Sequence, residues 1–128
     1  MRALLDTHAF LWWIADSGRL SRKARRLVAD ETNDIAVSAA SAWEIATKHR
    51  IGRLPGGEAV ALDVAGCISD QGFSELPITV SDGERAGGLP GPHRDPFDRM
   101  LAAQALARGL PIISIDVVFD RYGLNRLW

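Results

Sequence analysis

The chain has 128 residues, of which 47% are hydrophobic and 24% charged, with a formal net charge of -1. That length suits one domain with an ordinary core, and the composition excludes a disordered chain. Near-neutral charge gives no global basic footprint of a nucleic-acid binder, although local fields matter more than the sum. A single cysteine, Cys67, excludes an intrachain disulfide and a thiolate zinc site and is expected as a small core residue.

In chain order, residues 2–5 predict a short strand, apolar on both faces as a central parallel strand should be. Residues 8–15 predict a helix that is hydrophobic nearly all round, with Gly18 beyond its end. Ser21 is placed to cap a helix over 21–31, residues 34–38 form a second strand, and 39–51 a helix ended by Gly52. Pro55-Gly56-Gly57 breaks the chain. A helix over 58–70 follows, then a short edge strand at 74–78, where Pro77 is tolerated, and a brief helix at 81–87. The loop from Gly87 to His93 leads into a helix over 96–108, with Asp95 as cap, Pro96 at its first position and Gly109 past its end. Residues 111–115 are a buried strand, 117–122 a short helix, and 124–128 a last edge strand. The alternation predicts one α/β domain over 1–128, with a mostly parallel central sheet flanked by helices.

The longest strongly apolar run, Ala9 to Ala15, is too short to span a bilayer. Met1-Arg2 lacks the layout of a signal peptide, so a cytoplasmic protein is expected.

Acids stand where strands give way to helices. Asp6 closes Ala3-Leu4-Leu5, Asp116 closes Ile112-Ile113-Ser114-Ile115, Glu44 follows the second strand, and Asp98 opens the helix over 96–108. In such folds the carboxyl ends of the strands share one edge, where ligands bind. Each acid alone is explained by helix capping. Asp6 and Asp116 precede helices, Ser41-Ala42-Trp43-Glu44 matches a capping box, Glu44 precedes Lys48 by four residues, and Asp98 sits in a first turn. Capping stabilises by only about 1 kcal/mol per site, and serine would cap without mutual repulsion. A hard divalent cation explains the set better, because it takes oxygen ligands. Histidine is sparse (His8, His49, His93), and no two are spaced for joint ligation, which argues against zinc.

These residues carry a resemblance. Leu4-Leu5-Asp6-Thr7-His8, Ser38-Ala39-Ala40-Ser41-Ala42-Trp43-Glu44-Ile45, His93-Arg94-Asp95-Pro96-Phe97-Asp98-Arg99 and Ser114-Ile115-Asp116 resemble the motifs of the PIN-domain nucleases. More narrowly, the chain looks like the toxin component of VapBC-type toxin–antitoxin systems, along its whole length. The resemblance implies a Mg²⁺- or Mn²⁺-dependent endoribonuclease with a catalytic set of Asp6, Glu44, Asp98 and Asp116. Asp6 and Asp98 are then the expected metal ligands, with Glu44 and Asp116 completing the pocket through a second metal or ordered waters. Asp95 is expected to cap its helix rather than to ligate. Thr7 and Ser114 match the family's small hydroxyl residues near the acids. Hydrolysis by a metal-activated water predicts a 5′-phosphate and a 3′-hydroxyl.

Phosphate contacts are expected from Lys48, Arg50, Arg94 or Arg99, and the cluster Arg19, Arg22, Lys23, Arg25 and Arg26 is either a track for an RNA backbone or a solvated face. The resemblance further implies a homodimer and a cognate antitoxin protein. The run Phe10-Leu11-Trp12-Trp13-Ile14 cannot be buried on one helix face, so that helix is either internal or covered by another chain. Two other readings compete. A phosphoacceptor receiver wants paired acids after the first strand, where this chain has Asp6 alone; a catalytically inactive PIN-like binding module is not favoured, because all four acids are present.

Overall fold

Strand β1 (Arg2–Leu5) lies at the centre of a five-stranded sheet in the computed structural model, which describes residues 1–128. The order is β3-β2-β1-β4-β5, with β2 at Asp34–Ser38, β3 at Ser74–Leu76, β4 at Ile112–Ile113 and β5 at Arg126–Leu127. Every pairing is parallel, so all carboxyl ends point to one edge. Leu4 stands opposite Ala36 on one side and Ile112 on the other, so β1 is hydrogen-bonded on both sides.

Helices cover both faces, and the period-2 alternation of the strands divides the core in two. Ala3, Leu5, Ile35, Val37 and Ile113 point to one face, where α1 (Thr7–Ile14), α2 (Arg22–Ala29), α3 (Ala39–Arg50), α4 (Glu58–Leu62) and α5 (Val64–Asp70) contribute Phe10, Val28, Ile45, Val60 and Ile68. Leu4, Ala36 and Ile112 point to the other, against Leu101, Ala102 and Ala105 of α7 (Pro96–Arg108) and Val118 and Phe119 of a 3-10 helix at Val117–Tyr122. Helix α6 (Val80–Gly88) packs on α7. The α/β expectation holds, and the mostly parallel sheet is wholly parallel.

Local boundaries differ where the chain offers a cap. The helix expected over 58–70 is two helices, because Asp63 leaves helical geometry and its carboxylate accepts the Gly66 amide at 2.9 Å, capping α5. The edge strand expected over 74–78 stops at Leu76, just before Pro77, which has no N–H for the ladder. Gly109 ends α7 with φ 62, a left-handed conformation that costs glycine little.

The aromatic run of α1 is covered in part within the chain, with Leu11, Trp12, Trp13 and Ile14 half-buried. Phe10 is fully buried, Trp13 packs beside Phe73 and donates its indole N–H to Gln71 Oε1 at 2.9 Å, and Trp12 lies 5.9 Å from the ring of Trp128. The helix is therefore half internal, with Gln71 and Phe73 after α5 and the C-terminal Trp128 against its outer side. Cys67 is half-buried against the same core. No helix is long and apolar enough to cross a membrane.

Candidate active site

The chain passes from β3 to β4 by crossing to the far side of β1, so the strand order reverses between β1 and β4. A crevice opens at the carboxyl ends there. Asp6 follows β1 directly and is 5% exposed. It caps α1, accepting the Ala9 amide at 2.8 Å. Its other oxygen accepts the Ser114 hydroxyl, and the same Ser114 oxygen accepts the Asp116 amide at 2.9 Å. Asp116 in turn caps the 3-10 helix through the Val118 amide at 3.0 Å and is exposed. One buried serine thus ties the two strand-end acids together.

Glu44 comes from the second turn of α3 and is 3% exposed. Its carboxylate pairs with Lys48, one helical turn on. Asp98 lies in the first turn of α7 and accepts or shares a proton with His93 Nε2 at 3.0 Å. Burial pushes its carboxyl up to about 6, and Asp95, Asp116 and Glu44 add to the rise while His93 opposes it. Burial also raises Asp6, against the hydrogen bonds from Ser114 and Ala9, with Glu44 pushing the same way as burial. Both carboxyls are thus raised first by burial, and Glu44 adds to the rise of each.

The donor chemistry suits a hard divalent cation: carboxylate oxygens from four chain segments, two of them held uphill as anions. As they stand, no three His, Cys, Asp or Glu side chains are grouped to hold a metal ion. Asp6, Glu44 and Asp98 are instead turned onto Ser114, Lys48 and His93.

Several expected roles change. Ser38, not Ser41, caps α3, so the Ser41–Glu44 capping box is absent; Ser41 lies inside the helix and accepts the Thr7 hydroxyl at 2.9 Å. Asp95, by contrast, keeps its expected role and caps α7 through the Phe97 and Asp98 amides at 2.9 and 3.1 Å. Arg99 does not offer its guanidinium to a phosphate: it donates to the carbonyls of Ala86, Gly87, Leu89 and His93 and straps the preceding loop to α7. Lys48 is committed to Glu44, while Arg50 and Arg94 are exposed. In the basic cluster Arg25 binds Asp16 at 2.7 Å, and Arg22, Lys23 and Arg26 are exposed on α2. That helix leads into the amino end of β2, the edge opposite the acids.

Sequence reasoning missed a buried polar chain beside the site. Ser38 donates to Gln104 Oε1 at 2.5 Å, Gln104 donates to Asp82 at 3.2 Å and to the Pro77 carbonyl at 3.0 Å, and Arg108 grips Asp82 with two bonds of 2.9 Å. Its local end is a Thr79–Asp82 capping box at the start of α6. The contact of His93 with Asp98 was not expected either.

Acids from separate segments, brought to the carboxyl edge of a parallel sheet at its switch point, define an α/β domain with an anionic ligand site. The chain belongs to the PIN-domain family, whose profile matches residues 3–124. It is 29% identical to ribonuclease VapC22 of Mycobacterium tuberculosis over 116 residues, covering 88% of this chain and 85% of that protein. A second relative, ribonuclease VapC16 of the same organism, is 40% identical over 70 residues, 53% of this chain and 50% of that one. Among solved structures, the fold resembles VapBC2 from Rickettsia felis, crystallised with a DNA fragment from its promoter, with a TM-score of 0.64 at 15% identity over 100% of both chains. It is also similar to VapC20 of M. tuberculosis, described as a sarcin-ricin loop cleaving toxin, with a TM-score of 0.63 at 18% identity over 95% of both chains.

Proposed function

We propose that this chain is a metal-dependent endoribonuclease acting as the toxin of a toxin–antitoxin pair. The observation that carries the reading is the placement of four acids, Asp6, Glu44, Asp98 and Asp116, at the carboxyl edge of one sheet, where burial raises Asp6 and pushes the Asp98 carboxyl up to about 6. An anionic cluster of that kind is costly to retain for capping alone, and holding a divalent cation for phosphodiester hydrolysis would give it a purpose. The curated relatives named as ribonucleases support the same class of reaction.

In this reading Asp6 and Asp98 hold the ion, with Glu44 and Asp116 completing its surroundings. A divalent cation bound there supplies charge that neutralises a phosphodiester and lowers the pKa of water. The chain's own residues do the rest. Ser114 fixes the orientation of Asp6 and keeps it toward its anionic form. Thr7, through Ser41, ties the start of α1 to α3 and so sets the spacing of Asp6 and Glu44. Arg50 and Arg94 are exposed cations available to an RNA backbone. Mg²⁺ is the first choice of ion and Mn²⁺ the second, because the donor set is all oxygen.

A cognate antitoxin and assembly as a homodimer belong to the same proposal. The exposed apolar residues Ile115 and Val117, on either side of Asp116, give a protein partner something to cover next to the site.

The test incubates purified protein with RNA in Mg²⁺, in Mn²⁺ and in chelator, beside Asp6→Asn and Asp98→Asn. Cleavage that requires the ion and is lost in both variants is expected. Cleavage indifferent to chelator and to both substitutions would sink the reading.

A further inference from the structure

Trp43 is the one aromatic among the large hydrophobic side chains that the chain exposes, at 55% of its surface. It immediately precedes Glu44 on α3, and Phe97 immediately precedes Asp98 on α7. The two rings meet with centroids 4.6 Å apart and planes at 72°, an edge-to-face contact. They bridge two helices that each deliver one site acid from the next position along the chain, so the pair forms an aromatic ledge across α3 and α7. Nothing in the core requires it: Trp43 lies outside both hydrophobic clusters. The contact with Phe97 holds the indole in one orientation, which lowers the entropy lost when a flat ligand settles on it. Exposed arginines, Arg50 on α3 and Arg94 just ahead of α7, come from the same two segments.

We propose that the Trp43–Phe97 pair is a stacking platform for a nucleobase of single-stranded RNA, the base next to the phosphate presented to the acids. The inference rests on the ribonuclease reading and adds a base-binding subsite to it. Cationic side chains for the backbone and an aromatic face for a base are the two components by which proteins hold single strands. Every base has a π-face, so the platform positions a nucleotide without demanding a particular sequence. A buried cap or core role would need Trp43 to be covered, and it is not.

The experiment measures binding of a short random-sequence RNA, in chelator so that no cleavage occurs, to the full chain and to Trp43→Ala and Trp43→Phe. An abasic ribose-phosphate oligomer of the same length serves as the control, and cleavage of the same RNA is followed with Mn²⁺ present. Thermal melting checks that the variants fold, which the exposure of Trp43 favours. The expected result is that Trp43→Ala weakens RNA binding about tenfold, leaves binding of the abasic oligomer unchanged, and raises KM more than it lowers kcat. Trp43→Phe retains most of the affinity. Equal RNA binding by Trp43→Ala and the unmodified chain would overturn the platform and turn the exposed indole over to a protein interface, while leaving the ribonuclease reading intact. Equal loss toward RNA and abasic oligomer would also overturn it, since stacking needs a base. If the unmodified chain neither binds nor cuts RNA, the ribonuclease reading itself fails, and the platform with it.

Discussion

Ser114 donates its hydroxyl to Asp6 across 108 positions of sequence, and it receives the Asp116 amide on the same oxygen. The contact is buried and joins the ends of β1 and β4 at the point where the strand order reverses. It opposes the burial that pushes the Asp6 carboxyl up. Replacing Ser114 by Ala should let that carboxyl rise further. The acid side of the activity–pH profile should move to higher pH, with a stability loss of only about 1 kcal/mol for the missing bond. A pH profile of RNA cleavage beside a thermal melt checks both parts.

Burial pushes the Asp98 carboxyl in the folded protein up to about 6, above the ordinary aspartate range. A carboxyl raised on folding binds its proton more tightly in the native state. It therefore favours the native state below the ordinary carboxyl pKa and loses that contribution as pH rises to about 6. Without added cation, stability should fall across this interval, and Asp98→Asn should flatten the fall and gain about 1 kcal/mol at neutral pH. Protons and cations compete for the same oxygens, so Mn²⁺ should raise the melting temperature more at neutral pH than at about pH 5. The same variant should lose cleavage by at least about a hundredfold. Melts with and without Mn²⁺ at two pH values, with an RNA assay, check these outcomes.

Asp82 is the opposite case. The two bonds from Arg108 hold its carboxyl well below the usual range, with the Thr79 amide and Gln104 acting in the same direction. Its stabilisation is present above the ordinary carboxyl pKa and disappears as pH falls through the depressed folded value. Asp82→Asn should cost about 3 kcal/mol at neutral pH, because it strands the partly buried Arg108 charge. It should also remove part of the acid lability of the protein. Urea unfolding at neutral pH and at about pH 3 measures the difference.

Arg99 straps the segment from Ala86 to His93 onto α7 through four carbonyls. A lysine keeps the charge but lacks the planar fork that reaches several acceptors at once. Arg99→Lys should cost about 2 kcal/mol and speed hydrogen exchange or proteolysis in residues 87–93. Cleavage of RNA should fall as well, since His93, which faces Asp98, sits on that strap. Exchange confined to the loop, with the sheet unchanged, is the expected pattern.

Much of the fold was legible because it is written in local chemistry. Apolar runs two to five residues long marked β1, β2 and β4, and Asp95-Pro96 with Gly109 bounded α7 almost to the residue. Asp63 escaped notice because a single carboxylate in an apolar helix looks like a surface residue until the backbone bends to use it as a cap. The four acids were legible as strand-end and helix-start residues. Their partners were not: Ser114 for Asp6 and His93 for Asp98 depend on which strand lies beside which and on how a loop folds back.

By itself, the sequence determined that strands alternate with helices, that both faces of the central strands are buried, and that acids stand at the carboxyl ends. Hydrophobic period, caps and breakers are short-range, and they act before any tertiary contact forms. The tertiary structure alone decided that β4 crosses to the far side of β1, which brings Asp116 and Ser114 to Asp6. It alone decided that Arg99 is a strap and not a free cation, and that the exposed Trp43 of α3 meets Phe97 of α7. Those outcomes hang on long-range packing, where burial and mutual charge set the state of each carboxyl and no local pattern encodes the neighbour.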